Sequence, residues 1–159
     1  MRKQINSIFV YLFFIACWIF FFYFYPYHLH YKEQITLCVL QPDFLQTYLQ
    51  KPAFLTEICG DYLTQFFLWT GGGSSILTLT FVCTWLGLRI ALRKTGITSH
   101  VSLWALLPIV AEWALSCHLE YPLSMSLGLM CSVWAFSLST LSTSTHTRGI
   151  LHVVMLIIL

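Results

Sequence analysis

Glu112 is an acidic residue inside a long apolar run, and this position makes it a candidate functional residue. Residues 102–119 hold no other charged side chain. A carboxylate at membrane depth is costly unless it is paired, protonated or next to a wet cavity, so such residues often bind an ion or a substrate. The structural alternative is a protonated or bundle-facing glutamate that bonds a neighbouring Ser or Tyr. The sequence leaves both interpretations open.

Acidic and histidine side chains also follow two of the apolar runs. They are His28, His30, Glu33, Asp43, His118 and Glu120. The spacing His-x-His-x-x-Glu can bring ligands to zinc or another divalent metal, although a histidine at a membrane boundary is often only interfacial. Glu33 or Asp43 suits a general base, and Glu120 suits a residue that positions a metal or a phosphate. We therefore predict Glu33, Asp43 and Glu120 as catalytic residues and His28 and His30 as metal ligands.

The composition excludes several classes of protein. Of the 159 residues, 58% are hydrophobic and 9% are charged, with a mean hydropathy of +0.76, whereas a soluble domain carries about a quarter charged residues. The net charge of +2 and the lack of a Lys/Arg run argue against nucleic acid as a partner. The sequence also contains no P-loop, no nucleophile elbow and no His-Glu-x-x-His motif. It predicts an integral membrane protein.

Four apolar runs have the length of transmembrane helices, and a fifth is partial. They comprise residues 5–25, 76–92, 102–119, 123–141 and, in part, 150–159. The first run would be about 31 Å long at ~1.5 Å per residue, close to a hydrocarbon core of ~30 Å. It is too long for the core of a cleaved signal peptide and ends in aromatic residues, so we interpret it as an uncleaved anchor. Because the last run reaches only about 15 Å, we expect the N-terminal part of a longer protein.

The basic residues predict an orientation. Six of the eight Lys and Arg fall on one side of these spans, namely Arg2, Lys3, Arg89, Arg93, Lys94 and Arg148. The positive-inside rule places that side in the cytoplasm. We therefore predict a bacterial inner-membrane protein with a cytoplasmic N-terminus. Loop 26–75 and the turn at residues 118–122 then share the outer face.

Loop 26–75 holds four of the six acidic residues and predicts two short helices. Asp43 followed by Gln46 is typical of a capping box. Pro52 opens a second helix, in which apolar pairs alternate with polar pairs. We expect amphipathic helices that lie in the membrane surface; the alternative is that they only pad the outside of the bundle. The glycines at 71–73 then predict a break before the next span.

Two further patterns concern packing and the cysteines. Ser124, Gly128 and Ser132 recur at four-residue spacing, a stripe of small residues that lets helices approach closely. Cys38 and Cys59 lie in the polar loop, where a disulfide forms only if the loop faces an oxidising compartment. Spacing alone does not decide whether they pair.

Three segments resemble the first outer loop of an uncharacterised bacterial family of polytopic membrane proteins, a domain of unknown function. They are YKEQITL at 31–37, PDFL at 42–45 and KPAFLTEICGDYLTQFF at 51–67. The resemblance covers roughly residues 1–95, and members of that family are typically much longer. It implies a membrane protein and brings no activity with it.

The architecture also resembles that of C-type-fold glycosyltransferases, which act on lipid-linked sugars. Those enzymes have a first span, an outer loop with surface-lying helices, and a short second outer loop that bears an acid. The resemblance implies that Glu33 or Asp43 activates the acceptor and that Glu120 helps to bind a metal or phosphate. The first loop of this sequence lacks adjacent acids directly after the span.

These observations predict an all-α, polytopic transmembrane bundle with an outer loop of interfacial amphipathic helices. The first function hypothesis is a membrane-embedded transferase that acts on cell-envelope glycan or a lipid-linked sugar, with membrane lipid around it and a divalent metal as the candidate cofactor. The alternatives are a noncatalytic assembly or scaffold subunit and a transporter fragment that uses Glu112. Helix partners would come from the rest of a longer chain or from other subunits.

Overall fold

The computed structural model describes residues 2–35, 46, 48–49, 53–97, 99–141 and 149–150. In this part of the chain the regular structure is helical throughout. The predicted class, an all-α polytopic transmembrane bundle, is confirmed, and the interfacial position of the outer-loop helices stays a prediction. The predicted cap at Asp43, the thiol of Cys38 and the partial span beyond Ile150 lie outside the described residues.

The first apolar run ends in a sharp bend. Helix α1 (Arg2–Ile19) continues through a π-helical turn (Phe20–Phe24), and the chain then turns by 72° into α2 (Pro26–Ile35). Proline has no N–H and suits the first position of a helix, so Pro26 can begin α2 but cannot extend α1. The bend therefore falls where the sequence predicts the end of the first span.

Two helices form the centre of the bundle. Helices α4 (Gly72–Lys94) and α7 (Leu123–Leu141) are long and apolar enough to cross a membrane, and the bent α1–α2 pair counts as a third span if it is taken as one. The two helices approach closely at Gly87, where an added Cβ would lie 2.8 Å from Cγ1 of Val133. Ser137 Oγ also donates to the Gly87 carbonyl at 2.7 Å. Small residues thus permit the contact.

Helix α4 begins earlier than the glycines at 71–73 suggest. The break falls at Gly71, which has a left-handed φ of 82°, and Gly72 and Gly73 are already helical. An added Cβ on Gly73 would lie 3.0 Å from Leu29 and 3.1 Å from Phe67. These glycines therefore serve close packing against α2 and the turn before α4, as well as the break.

The third predicted span is shorter than expected and is interrupted. It consists of α5 (Val101–Trp104) and α6 (Leu106–Ser116), with a turn at Ala105. Pro108 lacks the N–H that would bond the carbonyl of Trp104, so the interruption lies just before the proline rather than at it. The two pieces together measure roughly 24 Å at about 1.5 Å per residue.

The outer-loop helix packs on the bundle by its small residues. Helix α3 (Phe54–Thr64) runs into a 3₁₀ turn (Gln65–Leu68) and buries Thr56, Gly60 and Thr64. An added Cβ on Gly60 would lie 2.7 Å from the backbone N of Ser124 in α7. The polar and small face of the predicted amphipathic helix thus faces α7.

The bundle has two ends, which we name after residues found there. At the Lys94 end, α4 finishes and α1 and α5 begin, since Asn6 Nδ2 donates to His100 Nδ1 at 3.0 Å. The Pro122 end carries α2, the 3₁₀ turn and the connection between α6 and α7, joined by bonds from Lys32 to that connection. The two acid-bearing connections predicted from sequence, at Glu33 and Glu120, therefore lie at the same end.

Candidate functional site

A pocket of about 410 Å³ opens at the Pro122 end, between α2, α3 and the connection from α6 to α7. We call it the Pro122 pocket. Its lining includes polar residues, among them Lys32, Asp61, Ser116, Glu120, Tyr121 and Ser126. Apolar side chains such as Phe67 and Leu77 complete the wall. A pocket with apolar walls and a few convergent polar groups is the arrangement expected of a small-molecule site.

Lys32 is the buried cation of this pocket. Only 8% of it is exposed, and Leu29, one turn earlier on α2, is buried on the same face. Its Nζ donates to the carbonyl of Ser116 at 3.0 Å and to that of Tyr121 at 2.9 Å. Burial lowers the pKa of Lys32 to about 8, because desolvation disfavours the charged form. The side chain is therefore positively charged at neutral pH, although its pKa lies close to that pH.

Two carboxylates share the pocket with Lys32. Glu120 is exposed in the connection between α6 and α7, and Asp61 is half-buried on α3. The hydroxyl of Tyr48 donates to Oδ2 of Asp61. The pocket thus combines one positive group with two negative ones, an arrangement able to hold an anion beside a hydroxyl-bearing group.

Glu112 lies beneath the floor of the Pro122 pocket. It is 1% exposed on α6, and Ser116, one turn later, and Ser126 of α7 form the floor above it. Ser126 Oγ lies beside the Glu112 carboxyl. Among the described residues, however, neither carboxylate oxygen nor either serine hydroxyl has a partner of hydrogen-bond geometry. Burial beside Ser126 agrees with the structural alternative as well as with a chemical role, so both interpretations stay open.

The structure brings some of the predicted residues together and separates others. Glu120 lines the Pro122 pocket, whereas Glu33 is half-buried on α2 and is not part of its wall. Asp43 lies outside the described residues. The catalytic assignments of Glu33 and Asp43 stay predictions.

The two histidines predicted as metal ligands occupy different surroundings. The ring of His28 lies 4.7 Å from that of Tyr25, against the backbone of Ser116. His30 lines a small cavity of about 70 Å³ beside Trp69. Within the described ranges, no three His, Cys, Asp or Glu side chains are grouped as a metal ion requires. Metal binding by His28 and His30 stays a prediction, as does the divalent cofactor.

The structure describes only one of the two cysteines for which the sequence leaves a disulfide open. Cys59 is exposed on α3 and forms no disulfide within the described residues. Because Cys38 lies outside the described residues, whether Cys38 and Cys59 form a disulfide stays open.

Several pocket residues were missed by the sequence reasoning. Leu29 and Lys32 are three residues apart, and Glu112 and Ser116 are four apart, so each pair shares a helix face. That spacing was a usable signal that Lys32 turns inward and that Ser116 accompanies Glu112. Ser126 carries no such signal, because its place beside Glu112 depends on how α6 and α7 pack.

Comparison with known proteins identifies a family but no function. A family model described as "Family of unknown function (DUF6057)" matches residues 1–159. No curated protein and no solved structure matches the chain.

Proposed function

The chain belongs to DUF6057, a family of unknown function, and we propose that it is a membrane-embedded transferase acting on a lipid-linked sugar or related cell-envelope glycan. The observation that carries the proposal is the buried ammonium of Lys32 in a pocket that also holds Asp61 and Glu120. A phosphate-bearing head group would bind in this pocket.

The chemistry of the pocket supports this substrate class. An ammonium in a partly dry site forms strong charge-assisted bonds to phosphate oxygens. The apolar wall beside Phe67 and Leu77 suits the first carbons of a lipid chain. The exposed carboxylate of Glu120 suits a base that accepts a proton from an acceptor hydroxyl.

The proposed reaction is a glycosyl transfer. The acceptor oxygen bonds to the anomeric carbon of the sugar, and the bond from that carbon to the phosphate oxygen breaks. Glu120 takes the proton of the acceptor hydroxyl, and the lipid phosphate leaves with the electron pair, held by Lys32. Asp61 positions sugar hydroxyls by accepting their hydrogen bonds.

The proposed orientation places the Pro122 pocket on the outer face of a bacterial inner membrane. Arg93 and Lys94 end α4 at the opposite end of the bundle, and basic residues mark the cytoplasmic side. Labelling of single cysteines at positions 94 and 120 in intact cells tests this. Access to position 120 alone is expected, and access to position 94 alone would reverse the orientation.

Lipid binding tests the central claim. Purified protein in detergent is titrated with a polyprenyl phosphate and with the uncharged polyprenyl alcohol. We expect the phosphate to bind at least about tenfold more tightly, as a charge-assisted bond implies. Lys32→Met should remove that preference, and Lys94→Met, an exposed lysine at the other end, should retain it. Equal binding of the two lipids by the native protein would contradict the proposal.

A second candidate function, ion-coupled transport, is favoured by a different observation. Glu112 is buried beside Ser126, and in the described part of the bundle its oxygens have no partner of hydrogen-bond geometry; a buried acid of this kind is typical of a site that exchanges an ion. Transport predicts pH-dependent flux in liposomes that Glu112→Gln abolishes. Flux that persists in Glu112→Gln at the native rate excludes this candidate.

A further inference from the structure

Buried and half-buried hydroxyls in this bundle usually bond to their own helix. Thr80 donates to the Ile76 carbonyl at 2.9 Å, Thr84 to Thr80 at 2.8 Å, and Ser132 to Gly128 at 2.8 Å. A serine or threonine in a helix can always satisfy its hydroxyl in this way, through the carbonyl one turn earlier. Buried hydroxyls that do not use this bond are therefore informative.

Ser116 and Ser126 depart from that pattern. Each is 1% exposed, and in the part of the chain that the structure describes the Oγ of each has no hydrogen-bond partner. Ser126 Oγ lies beside the Glu112 carboxyl, and Ser116 follows Glu112 by one turn on the buried face of α6. Both carboxylate oxygens of Glu112 are also buried without a partner of hydrogen-bond geometry in the described residues. Four buried oxygens on neighbouring turns of α6 and on the facing α7 thus lack a partner of hydrogen-bond geometry in the described bundle. Leaving such groups unsatisfied costs about 1–3 kcal/mol each, so an occupant that binds them all would be strongly favoured.

The chemistry of these four oxygens selects the occupant. A carboxylate needs a positive charge in a medium of low polarity, and the nearby ammonium of Lys32 bonds the carbonyls of Ser116 and Tyr121. A proton on Glu112 would neutralise the charge, whereas a bound cation would balance the charge and also coordinate the carboxylate and the two hydroxyl oxygens. Divalent cations in proteins favour more oxygen ligands, often several carboxylates. One carboxylate with two hydroxyls fits a hard, monovalent cation.

We propose that Glu112, Ser116 and Ser126 form a binding site for a sodium ion, which enters through the Pro122 pocket. The carboxylate balances the charge of the ion, and the two serine hydroxyls and water from the pocket supply further oxygen ligands. Ser116 and Ser126 line the pocket floor, so the site has an entrance. This site does not depend on the transferase proposal, because it needs no lipid substrate.

The test is the thermal stability of the purified protein in the absence of added lipid. Protein in detergent is unfolded in sodium chloride, potassium chloride and choline chloride at equal ionic strength. A cation that binds only the folded state raises Tm with its concentration by mass action. We expect a concentration-dependent rise in sodium, a smaller one in potassium and none in choline.

Matched variants locate the site. Ser126→Ala should weaken the apparent sodium affinity by about tenfold, the effect of losing one ligand to a charged group, and Ser116→Ala should act similarly. Glu112→Gln should remove the sodium response. Ser132→Ala is the control, because its hydroxyl bonds only its own helix among the contacts described, and it should keep the native response. An equal response to all three salts, or native sodium affinity in both Ser116→Ala and Ser126→Ala, would overturn the proposal. The serine variants keep the test decisive if Glu112→Gln does not fold.

Discussion

The two ends of the α4–α7 pair differ in whether their buried polar groups have hydrogen-bond partners. Towards the Lys94 end, Ser137 Oγ donates to two carbonyls, at 2.7 and 2.8 Å, and Trp134 Nε1 donates to the Cys83 carbonyl at 3.1 Å. At the Pro122 end, Ser126 on the same helix has no partner in the described residues and faces a pocket. Polar groups that satisfy one another hold helices together, whereas polar groups left open beside a cavity are available to a ligand.

The largest expected effect falls on the pocket acid. Glu120→Gln should lower transferase turnover by about 100-fold or more, because a positioned general base contributes about 10²–10⁴ to the rate. The side chain is exposed, so abundance and Tm should stay near the native values. Turnover is measured as transfer of radiolabelled sugar to acceptor in the native membrane. The control is Glu57→Gln, an acid outside the pocket wall whose Oε1 accepts from Ser124 Oγ; equal losses in both variants would assign no special role to Glu120.

The close helix contacts give the next largest effect and differ between the two ends. An added Cβ at Gly60 meets the backbone of Ser124, whereas one at Gly87 meets a methyl group of Val133. Alanine favours a helix over glycine by about 1 kcal/mol, while overpacking costs about 1–3 kcal/mol. Gly60→Ala should therefore lower the free energy of unfolding more than Gly87→Ala does, because backbone must move at Gly60 and only the Val133 side chain must move at Gly87.

Thermal unfolding of both variants in detergent measures this difference. The comparison also bears on the scaffold alternative, since Ser124 belongs to the small-residue stripe of α7. If Gly87→Ala proved the more destabilising, the α3–α7 contact would be the looser of the two.

The sequence anticipates the spans better than the site, for a physical reason. Apolar length predicts α4, α7 and the end of the first span, because these depend on local composition, and the missing N–H of Pro26 accounts for the bend that follows α1. The stripe at Ser124 predicts close packing, which Gly60 completes. What sequence cannot predict is which helix faces meet.

The pocket depends on those faces. Lys32 lies in a polar loop, where a lysine is normally solvated, and only the fold turns it toward two carbonyls of the α6–α7 connection. The alternation of polar and apolar pairs in the second loop helix predicts that Asp61 lies on its polar face, and the packing of α3 places it in the pocket wall instead. The sequence predicts Glu120 as a site residue because this acid lies in a short turn between two spans, and such a turn fixes its position at the end of the bundle.

The lowered pKa of Lys32 predicts that the affinity for lipid depends on pH and changes by about tenfold. The pKa of Lys32 is lowered to about 8 by burial, so the ammonium is present below that pH and is lost above it. Affinity for polyprenyl phosphate should fall as pH rises through 8, by about tenfold per charge-assisted bond lost. Lys32→Met should bind weakly and independently of pH over this range. A native affinity that stays constant from pH 7 to 10 would exclude Lys32 as the phosphate ligand.

The smallest expected effect compares two serines of α7 directly. Ser137→Ala removes a hydroxyl that bonds two carbonyls, and it should lower the free energy of unfolding by about 1 kcal/mol. Ser126→Ala, measured in choline chloride without sodium, removes a hydroxyl that has no partner in the described structure, and it should leave stability unchanged or slightly raised. In sodium chloride the same variant should become less stable than the native protein, because the native protein alone gains the bound ion. A loss of stability in Ser126→Ala that is equal in both salts would mean that this serine supports packing, and the contrast between the two ends would then not mark a ligand site.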